Sequence, residues 1–333
     1  MQTVLSSLLL NHCVAARYLH VFTKCLFVYC CCFIINTEAY SQQFTTKKSV
    51  EGIEILENGK KVLFYQVQPK SVGGKYERAG YVHPLYSLDE TVLTEDMPED
   101  HPYHRGIFWA WHQIILNDKN IADGWVSDNI SWKANKVTVE KNKGRVTIQS
   151  LMLWNVELEN KPTNIVRENT KITVFKSTDQ YRILDFDIHL AALVENLKIG
   201  GSDDSKGYGG FCIRLKLPED ITFISQDKMI TPKETPVMAG PWMNFIGSFA
   251  GDLLPKTGVV VFGYSSGLQE QDPWILRKVK SMQNVPFPGR TPVELSKKGI
   301  RLKYRVIVHN GVMKNKDIDK LYQQYVSEAG KVR

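Results

Sequence analysis

Cysteine is nearly missing from the part of the chain that could form a folded core. Five of the six cysteines lie within the first 32 residues, and Cys212 is the only one that follows. A single thiol cannot form an intramolecular disulfide, so cross-links between its own segments cannot stabilise residues 42–333. That stretch is long enough to bury most of its apolar surface in a core. We therefore expect its stability to come from packing.

Long hydrophobic runs are also missing. The apolar stretch Cys25–Ile35 has eleven residues, whereas a helix needs about twenty to span a bilayer. Lys24 precedes this stretch, and the small residues Ala39 and Ser41 follow it at positions −3 and −1 of a cleavage site after Ser41. This arrangement is typical of a secretory signal. The sequence therefore predicts a signal peptide over 1–41, a periplasmic or secreted protein, and no membrane span in the mature chain.

Long runs of one charge sign along the sequence are missing as well. The chain has 42 Lys and Arg against 35 Asp and Glu, a formal net charge of +7, and the basic residues are scattered among the acidic ones. Proteins that bind nucleic acids usually concentrate positive charge on one face. We therefore expect no nucleic-acid partner.

Helical periodicity is rare, and strand patterns fill most of the chain. Asn58-Gly59, a favoured hairpin turn, separates the runs Gly52–Leu56 and Lys61–Val67. Further alternating runs are Ala134–Glu140, Arg145–Leu151, Leu153–Glu159, Lys171–Lys176, Ile183–Leu190, Phe211–Leu217, Gly258–Tyr264 and Ile300–Val308. Two stretches rich in Gly and Pro, Gly200–Gly210 and Thr231–Gly251, interrupt them. Without helical patterns between the strands, this spacing favours an antiparallel sheet fold over βαβ units.

The C-terminal segment has the one clear helical pattern. Its apolar residues fall at helical spacing, with Asp317 placed to cap: Ile318, Leu321, Tyr322, Tyr325 and Val326. We predict an all-β protein, a large antiparallel β-sandwich with a short C-terminal α-helix over 317–329. The signal peptide is followed by a single domain over 44–333.

Histidine is concentrated in one segment. Four of the eight histidines lie close together in the sequence: His83, His101, His104 and His112. Imidazole changes charge near neutral pH and is the commonest metal ligand in proteins. Arg105 and Trp111 lie in the same segment and could hold an anionic group and stack on a ring. This density of reactive and binding side chains indicates a functional site.

The same segment carries a family resemblance. The motifs that carry it are His83-Pro84-Leu85-Tyr86, the run Asp100–Trp111, Gly124-Trp125, the run Leu184–Asp187, the run Gly207–Leu215, Pro241-Trp242, Pro273-Trp274 and the run Tyr304–Gly311. In this order they resemble the DUF6807 family, which is also labelled methane oxygenase PmoA.

The resemblance implies an exported bacterial protein with a fold similar to the supersandwich of galactose mutarotase and polysaccharide lyases. It implies no particular reaction. In supersandwich sugar epimerases, a histidine and a carboxylate act across a concave sheet face. The oxygenase label would imply a protein with several membrane spans, which the lack of a long apolar stretch after residue 41 contradicts.

The leading hypothesis is a carbohydrate-active enzyme that moves a proton on a sugar or sugar acid. His101 and His104 would act as acid and base, and His83 and Asp187 are further catalytic candidates. Asp187 shares one face of a strand with Asp185 and His189. The candidate substrate-binding residues are Arg105, Trp111, His112, Tyr208 and Arg214. Epimerisation, elimination and hydrolysis stay unseparated, and the expected partner is a small-molecule or oligosaccharide substrate.

Three alternatives stay open. A non-catalytic carbohydrate-binding module would need the aromatic and Arg residues but not the histidines. A metalloenzyme would use His83, His101 and His104 as ligands of a divalent metal such as zinc or copper, whereas the leading hypothesis requires no cofactor. A protein-interaction sandwich would present an apolar surface patch instead of a polar cleft.

Overall fold

A computed structural model describes residues 44–265 and 273–330. The predicted signal peptide lies outside these residues. In chain order the described strands are β1 (Phe44–Lys48), β2 (Gly52–Glu57), β3 (Lys60–Gln66), β4 (Lys70–Val72), β5 (Lys75–Arg78), β6 (Tyr81–Leu85), β7 (Ile107–Trp111), β8 (Gln113–Leu116), β9 (Lys119–Ala122), β10 (Ser131–Asn142), β11 (Arg145–Leu158), β12 (Lys161–Phe175), β13 (Tyr181–Ala192), β14 (Leu197–Gly200), β15 (Gly209–Ile213), β16 (Thr222–Ser225), β17 (Lys228–Met229), β18 (Val237–Met238), β19 (Trp242–Gly247), β20 (Thr257–Ser265), β21 (Pro273–Trp274), β22 (Gln283–Pro286), β23 (Val293–Glu294) and β24 (Ile300–Asn310). One helix, α1 (Asn315–Gly330), follows them.

Two large antiparallel sheets dominate the described residues. The seven-stranded sheet has the order β1-β2-β3-β6-β7-β15-β22, and the nine-stranded sheet has the order β10-β11-β12-β13-β24-β20-β19-β16-β17. A four-stranded sheet, β23-β14-β8-β9, and two short strand pairs complete the set. This arrangement confirms the predicted all-β antiparallel sandwich. Among the described residues, no helix has the length and apolar character needed to cross a membrane.

The core lies between the inner faces of the two large sheets. Phe211 of β15 stacks on Tyr304 of β24 with ring centroids 4.3 Å apart, and Trp111 of β7 packs against Trp154 of β11 at 5.8 Å. Alternation along each strand supplies this core, as in β13, where Phe186 is buried and Asp187 faces outward. Each large apolar side chain buried in this way contributes about 1.5–3 kcal/mol to stability.

Helix α1 packs on the outer face of the nine-stranded sheet. Ile318 and Tyr325 are buried against Trp242 and Phe262. The indole Nε1 of Trp242 also donates a hydrogen bond of 2.8 Å to Asp319. The predicted helix over 317–329 is confirmed, and it begins two residues earlier and ends one residue later. Its apolar face covers part of the sheet that would otherwise meet water.

Two expectations about the strands were wrong. The Gly- and Pro-rich stretch 231–251 was expected to interrupt the strands, yet it contains β19, which pairs with β20 inside the nine-stranded sheet. Both faces of β19 are buried, one by the core and one by α1, so its sequence lacks a polar alternation. The runs Arg145–Leu151 and Leu153–Glu159 form one strand, β11.

Candidate functional site

The clustered histidines lie over the outer face of the seven-stranded sheet. Along β7, Trp109 and Trp111 point into the core between the sheets, whereas Phe108 and Ala110 point outward. On the outward side a second apolar cluster forms from Tyr81, Phe108, Ala110, Trp125, Cys212 and Met282, with Tyr103 and Tyr208 packed at its edge. The histidines meet the rim of this cluster.

Backbone hydrogen bonds hold the loop that carries His101 and His104 in a fixed shape. The amide of His104 donates to the carbonyl of His101 at 2.9 Å, and the amide of Met97 donates to the carbonyl of His104 at 3.0 Å. Gly106 ends the loop where the chain passes β6, and a Cβ there would overlap the carbonyl oxygen of Val82. The loop therefore depends on a residue without a side chain at this point.

His101 is oriented by the carboxylate beside it. Its Nδ1 lies 2.6 Å from Oδ2 of Asp100, and its side chain is 35% exposed. A carboxylate oxygen accepts, so Nδ1 carries the proton and Nε2 of a neutral ring has its lone pair available. Burial raises the pKa of Asp100, but hydrogen bonds from His101 and Arg214 outweigh burial and hold that pKa below its usual value. An imidazole oriented by an ionised carboxylate is the arrangement that general bases use.

The buried side chain of Arg214 bonds to three residues of the site, Glu95, Asp100 and His104. Its side chain is 2% exposed, and its Nε donates to Glu95 at 2.8 Å. One terminal nitrogen donates to both oxygens of Asp100 at 2.9 and 3.0 Å. The other lies 3.2 Å from Nδ1 of His104. Because a guanidinium group only donates, Nδ1 of His104 must accept, and the proton of this imidazole is on Nε2.

His104 is a neutral hydrogen-bond donor in this arrangement. Its ring stacks on that of His101 with centroids 4.5 Å apart and planes 1° from parallel. Burial lowers the pKa of His104 to about 2, and the neighbouring His101 and Arg214 add to the effect. This corrects the expectation that His104 exchanges a proton, since the ring stays uncharged at ordinary pH. Among the described residues, no acceptor is bonded to its Nε2.

A second imidazole–carboxylate pair lies on the far side of Trp125. Nδ1 of His112 is 2.8 Å from Oδ2 of Asp123. The His112 ring stacks on Trp125 at 5.0 Å and 19°, and His104 meets the same indole edge-on at 6.2 Å. Tyr208 packs against Trp125 at 5.3 Å. The structure thus brings together five predicted site residues: His101, His104, His112, Tyr208 and Arg214.

Arg105 and Trp111 were expected to bind substrate, and both positions correct that expectation. Arg105 is fully buried and donates to the backbone carbonyls of Pro102 at 2.8 Å and Tyr76. Trp111 is also fully buried, and its Nε1 donates to the carbonyl of Phe287 at 2.7 Å. Arg105 fixes the loop from behind, and Trp111 is part of the core. Neither side chain is accessible to a ligand.

Asp187 lies on the other sheet. It does share an outer strand face with Asp185 and His189, as predicted, but this is the outer face of the nine-stranded sheet. There its carboxylate accepts two hydrogen bonds of 2.6 Å from Arg301. Because the whole core separates this face from the histidines, Asp187 cannot be their catalytic partner. The carboxylate that bonds to His101 is that of Asp100.

His83 is not part of the stacked pair. Its Nδ1 lies 3.0 Å from the hydroxyl of Thr94, and burial lowers its pKa to about 4. The metal-binding set of the alternative hypothesis, His83, His101 and His104, is not formed among the described residues. Over residues 44–265 and 273–330, no group of three or more His, Cys, Asp or Glu side chains is arranged to hold a metal ion.

Sequence reasoning missed the two carboxylates and the indole that organise the site. Asp100 directly precedes His101, so the adjacent acidic residue was an available signal. Asp123 and Trp125 follow the β8–β9 hairpin, and only the pairing of those strands brings them back to His112. Their role therefore depends on tertiary structure.

The histidine site is a partly open surface, and a cavity of about 990 Å³ lies elsewhere. This cavity is on the outer face of the nine-stranded sheet, and none of the clustered histidines lines it. Among the described residues, imidazole–carboxylate pairs that meet aromatic rings are found at the histidine site.

Comparison with known protein families gives one match. Residues 52–323 match the profile of DUF6807, described as a family of unknown function. No curated protein matches the chain.

Proposed function

The chain belongs to the DUF6807 family, and from the geometry of its histidine site we propose that it is an exported carbohydrate-active enzyme. In this proposal it moves a proton on a sugar or sugar acid. The Asp100–His101 pair is the observation that carries the proposal, because a half-exposed imidazole with its Nε2 available is oriented by an ionised carboxylate. The leader sequence supports export.

His101 is the proton-transfer residue in this scheme. Its Nε2 accepts a proton from a C–H or O–H group of the substrate, and Asp100 stabilises the resulting imidazolium. Arg214 keeps Asp100 ionised. The neutral His104, stacked on His101, has its Nε2–H group available to donate to oxygen that becomes negative as the proton leaves. In an elimination, the leaving group departs with the proton that His101 removed from carbon. In a mutarotation, the ring oxygen takes the proton from His101 as the ring opens and gives it back as the ring closes after rotation about the C1–C2 bond. An epimerisation requires that the proton return to the opposite face of the carbanion, after the intermediate has turned in the site.

Three observations support a sugar as the substrate. The half-buried rings of Tyr103 and Tyr208 flank the pairs and offer apolar faces to the C–H groups of a pyranose. Asp123 and Glu95 supply partly exposed carboxylates for hydroxyl groups. The motifs also resemble those of a family whose fold is similar to sugar-processing supersandwich enzymes.

A non-catalytic carbohydrate-binding module is the second candidate. The observation that favours it is the pair of half-buried rings beside the histidines, Tyr103 and Tyr208, which could bind a sugar without any proton transfer. Such a module would bind sugar with the aromatic rings alone and would not convert it. Replacing His101 would therefore leave the affinity for the sugar unchanged. The same variants therefore separate the two candidates.

To test the proposal, the protein is incubated in D₂O with a panel of aldoses, uronic acids and short uronic-acid oligomers, and each sugar is monitored by proton NMR. Loss of a C–H signal by exchange, or appearance of a new anomer or unsaturated product, reports proton transfer. The wild type is compared with His101→Gln and Asp100→Asn. Asp118→Asn is the matched control, because this exposed carboxylate pairs with Lys198 and forms no hydrogen bond or ion pair with the site residues.

We expect turnover of at least one sugar by the wild type and by the control. In His101→Gln and Asp100→Asn the rate should fall by about 10²–10⁴-fold, the usual contribution of a positioned acid or base. Full activity in His101→Gln would overturn the assignment of the base. Binding of sugars without any exchange or product would replace the enzyme with the binding module.

A further inference from the structure

A polar groove crosses the nine-stranded sheet on the side away from the histidine site. It forms the cavity of about 990 Å³ and runs over β10, β11, β12, β13 and β24, ending beside Ala329 and Gly330 of α1. Its volume is that of a site for a sizeable small molecule. The proposed reaction makes no use of it.

Strand register builds the groove from two parallel rows of side chains. Directly paired residues form the first row, Thr138–Gln149–Lys171–Asp187–Lys303. The second row, two residues along each strand, is Lys136–Leu151–Asn169–His189–Arg301. Both rows cross the strands at right angles, and neighbouring strands lie about 4.8 Å apart. The groove therefore presents a repeating series of polar groups to an extended ligand.

The charge of the lining is strongly positive. It is lined by Lys136, Lys171, Lys298, Arg301 and Lys303, and among the described residues Asp187 is the one carboxylate in the lining. Arg301 already neutralises Asp187 through two hydrogen bonds of 2.6 Å. Lys303 donates to the carbonyl of Ala329 at 2.6 Å. Within the described residues, Lys136, Lys171 and Lys298 form no ion pair, so the groove keeps positive charge for a ligand.

The lining also identifies the class of ligand. Gln149, Asn169 and Thr138 add amide and hydroxyl groups between the cations, which suits a ligand that carries many hydroxyl groups as well as negative charge. Grooves for single-stranded nucleic acids combine positive charge with aromatic rings on which bases stack. Among the described residues, no aromatic side chain lines this groove. An acidic glycan therefore fits its chemistry better than a nucleic acid does.

We propose that this groove is a second binding site, which holds a linear acidic oligosaccharide laid across the strands. The carboxylates of the glycan pair with Lys136, Lys171 and Lys298, and its hydroxyl groups bond to the amides between them. The site anchors an acidic polysaccharide on one sheet while the histidine site stays open on the other.

The test uses isothermal titration of the full chain with α-1,4-linked oligogalacturonate and with its methyl ester, which has the same backbone without charge. We expect the acid to bind, the ester to bind much more weakly, and added salt to weaken binding of the acid. The double variant Lys136→Glu, Lys171→Glu should lose about tenfold or more in affinity, a change of about 1.4 kcal/mol. Lys60→Glu with Lys75→Glu gives the same charge change on exposed residues outside the groove and should bind like the wild type.

Three results would overturn the proposal. Equal weakening in both double variants would show that net charge alone attracts the glycan. Equal binding of acid and ester would show that the cations are not used. A single-stranded oligonucleotide that binds more tightly than the glycan, with the same dependence on Lys136 and Lys171, would assign the groove to nucleic acid. His101→Gln should bind the glycan normally, so failure of this proposal and failure of the proposed function are distinguishable.

Discussion

At the scale of single residues, two histidines three positions apart have different chemistry. His101 is half-exposed and bonded to a carboxylate, whereas His104 is buried and faces a cation. Arg214 produces both environments, since it bonds to Asp100 on one side and to His104 on the other. The division of the pair into one base and one neutral donor therefore follows from a single buried guanidinium group.

This division predicts the protonation state of His104. In long-range ¹H–¹⁵N NMR spectra, His104 should stay the neutral Nε2–H tautomer from pH 8 down to pH 5, because burial lowers its pKa to about 2. His104→Gln identifies the signal. Titration of His104 within this range would contradict the hydrogen bond from Arg214, and so would an Nδ1–H tautomer.

Gly106 gives a second prediction at this scale. Gly106→Ala should destabilise the protein by about 1–3 kcal/mol, because the new methyl group is forced against the backbone of β6. Urea unfolding measures the loss. In the control, Gly263→Ala, the new methyl group meets only a side-chain carbon of Val285 at 3.1 Å, and the loss should be smaller. Equal stability of Gly106→Ala and wild type would show that the loop can shift.

The sequence predicted where in the chain the site lies better than it predicted which side chains form it. Clustering of histidines pointed to His101, His104 and His112, because reactive side chains are rarely dense by accident. It could not show that Trp111 turns inward, since that depends on which face of β7 the second sheet covers. Nor could it show that the loop folds around Arg105, which bonds to the carbonyls of Pro102 and Tyr76. It also could not show that Asp123 returns to His112.

At the scale of elements, α1 acts as a cover for the nine-stranded sheet. Ile318→Ala should lower the free energy of unfolding by about 2–5 kcal/mol, because the removed side chain is fully buried against the sheet. Gln323→Ala, on the exposed side of the same helix, should change stability by less than about 0.5 kcal/mol. Equal effects of the two variants in urea unfolding would show that the helix is not firmly packed.

The alternation of polar and apolar residues predicted the strands that have one polar face. It did not predict strands whose two faces are both buried. β13 and β24 were predicted because charged residues mark their outer face. β19 was missed because α1 and the core cover its two faces, so apolar residues such as Trp242 and Phe245 lie on both. Its one polar side chain, Asn244, is itself buried and sets no period. The helix was predicted, but the sequence gives no sign of which strands it covers.

At the scale of the whole molecule, buried histidines make stability depend on pH. Burial lowers the pKa values of His83 and His309 to about 4 and that of His104 to about 2. In the unfolded chain each imidazole takes up a proton near pH 6.5. Below that pH the unfolded state binds more protons than the folded state, so stability is full above pH 6.5 and falls as the pH is lowered.

We expect the free energy of unfolding to fall between pH 6.5 and pH 5 by roughly 1 kcal/mol per buried histidine per pH unit. Burial raises the pKa values of Glu168 and Asp185, which act in the opposite direction. The variant His309→Asn measures the contribution of one histidine. Its free energy of unfolding should change less steeply with pH than that of the wild type, because one titrating imidazole is missing. Urea unfolding at several pH values measures both slopes, and identical slopes would contradict the buried neutral state of His309.

The outermost strand of the nine-stranded sheet has a consequence for self-association. β10 is twelve residues long, and among the described strands it has a neighbour, β11, on one side only. An open edge of this length is a template on which a second molecule could add a strand and start aggregation. Lys133, Lys136 and Lys141, together with the irregular register between Ala134 and Lys136, oppose such pairing. Lys136 therefore serves colloidal stability as well as the groove, and removing its charge would make concentrated solutions of the protein more prone to form fibres.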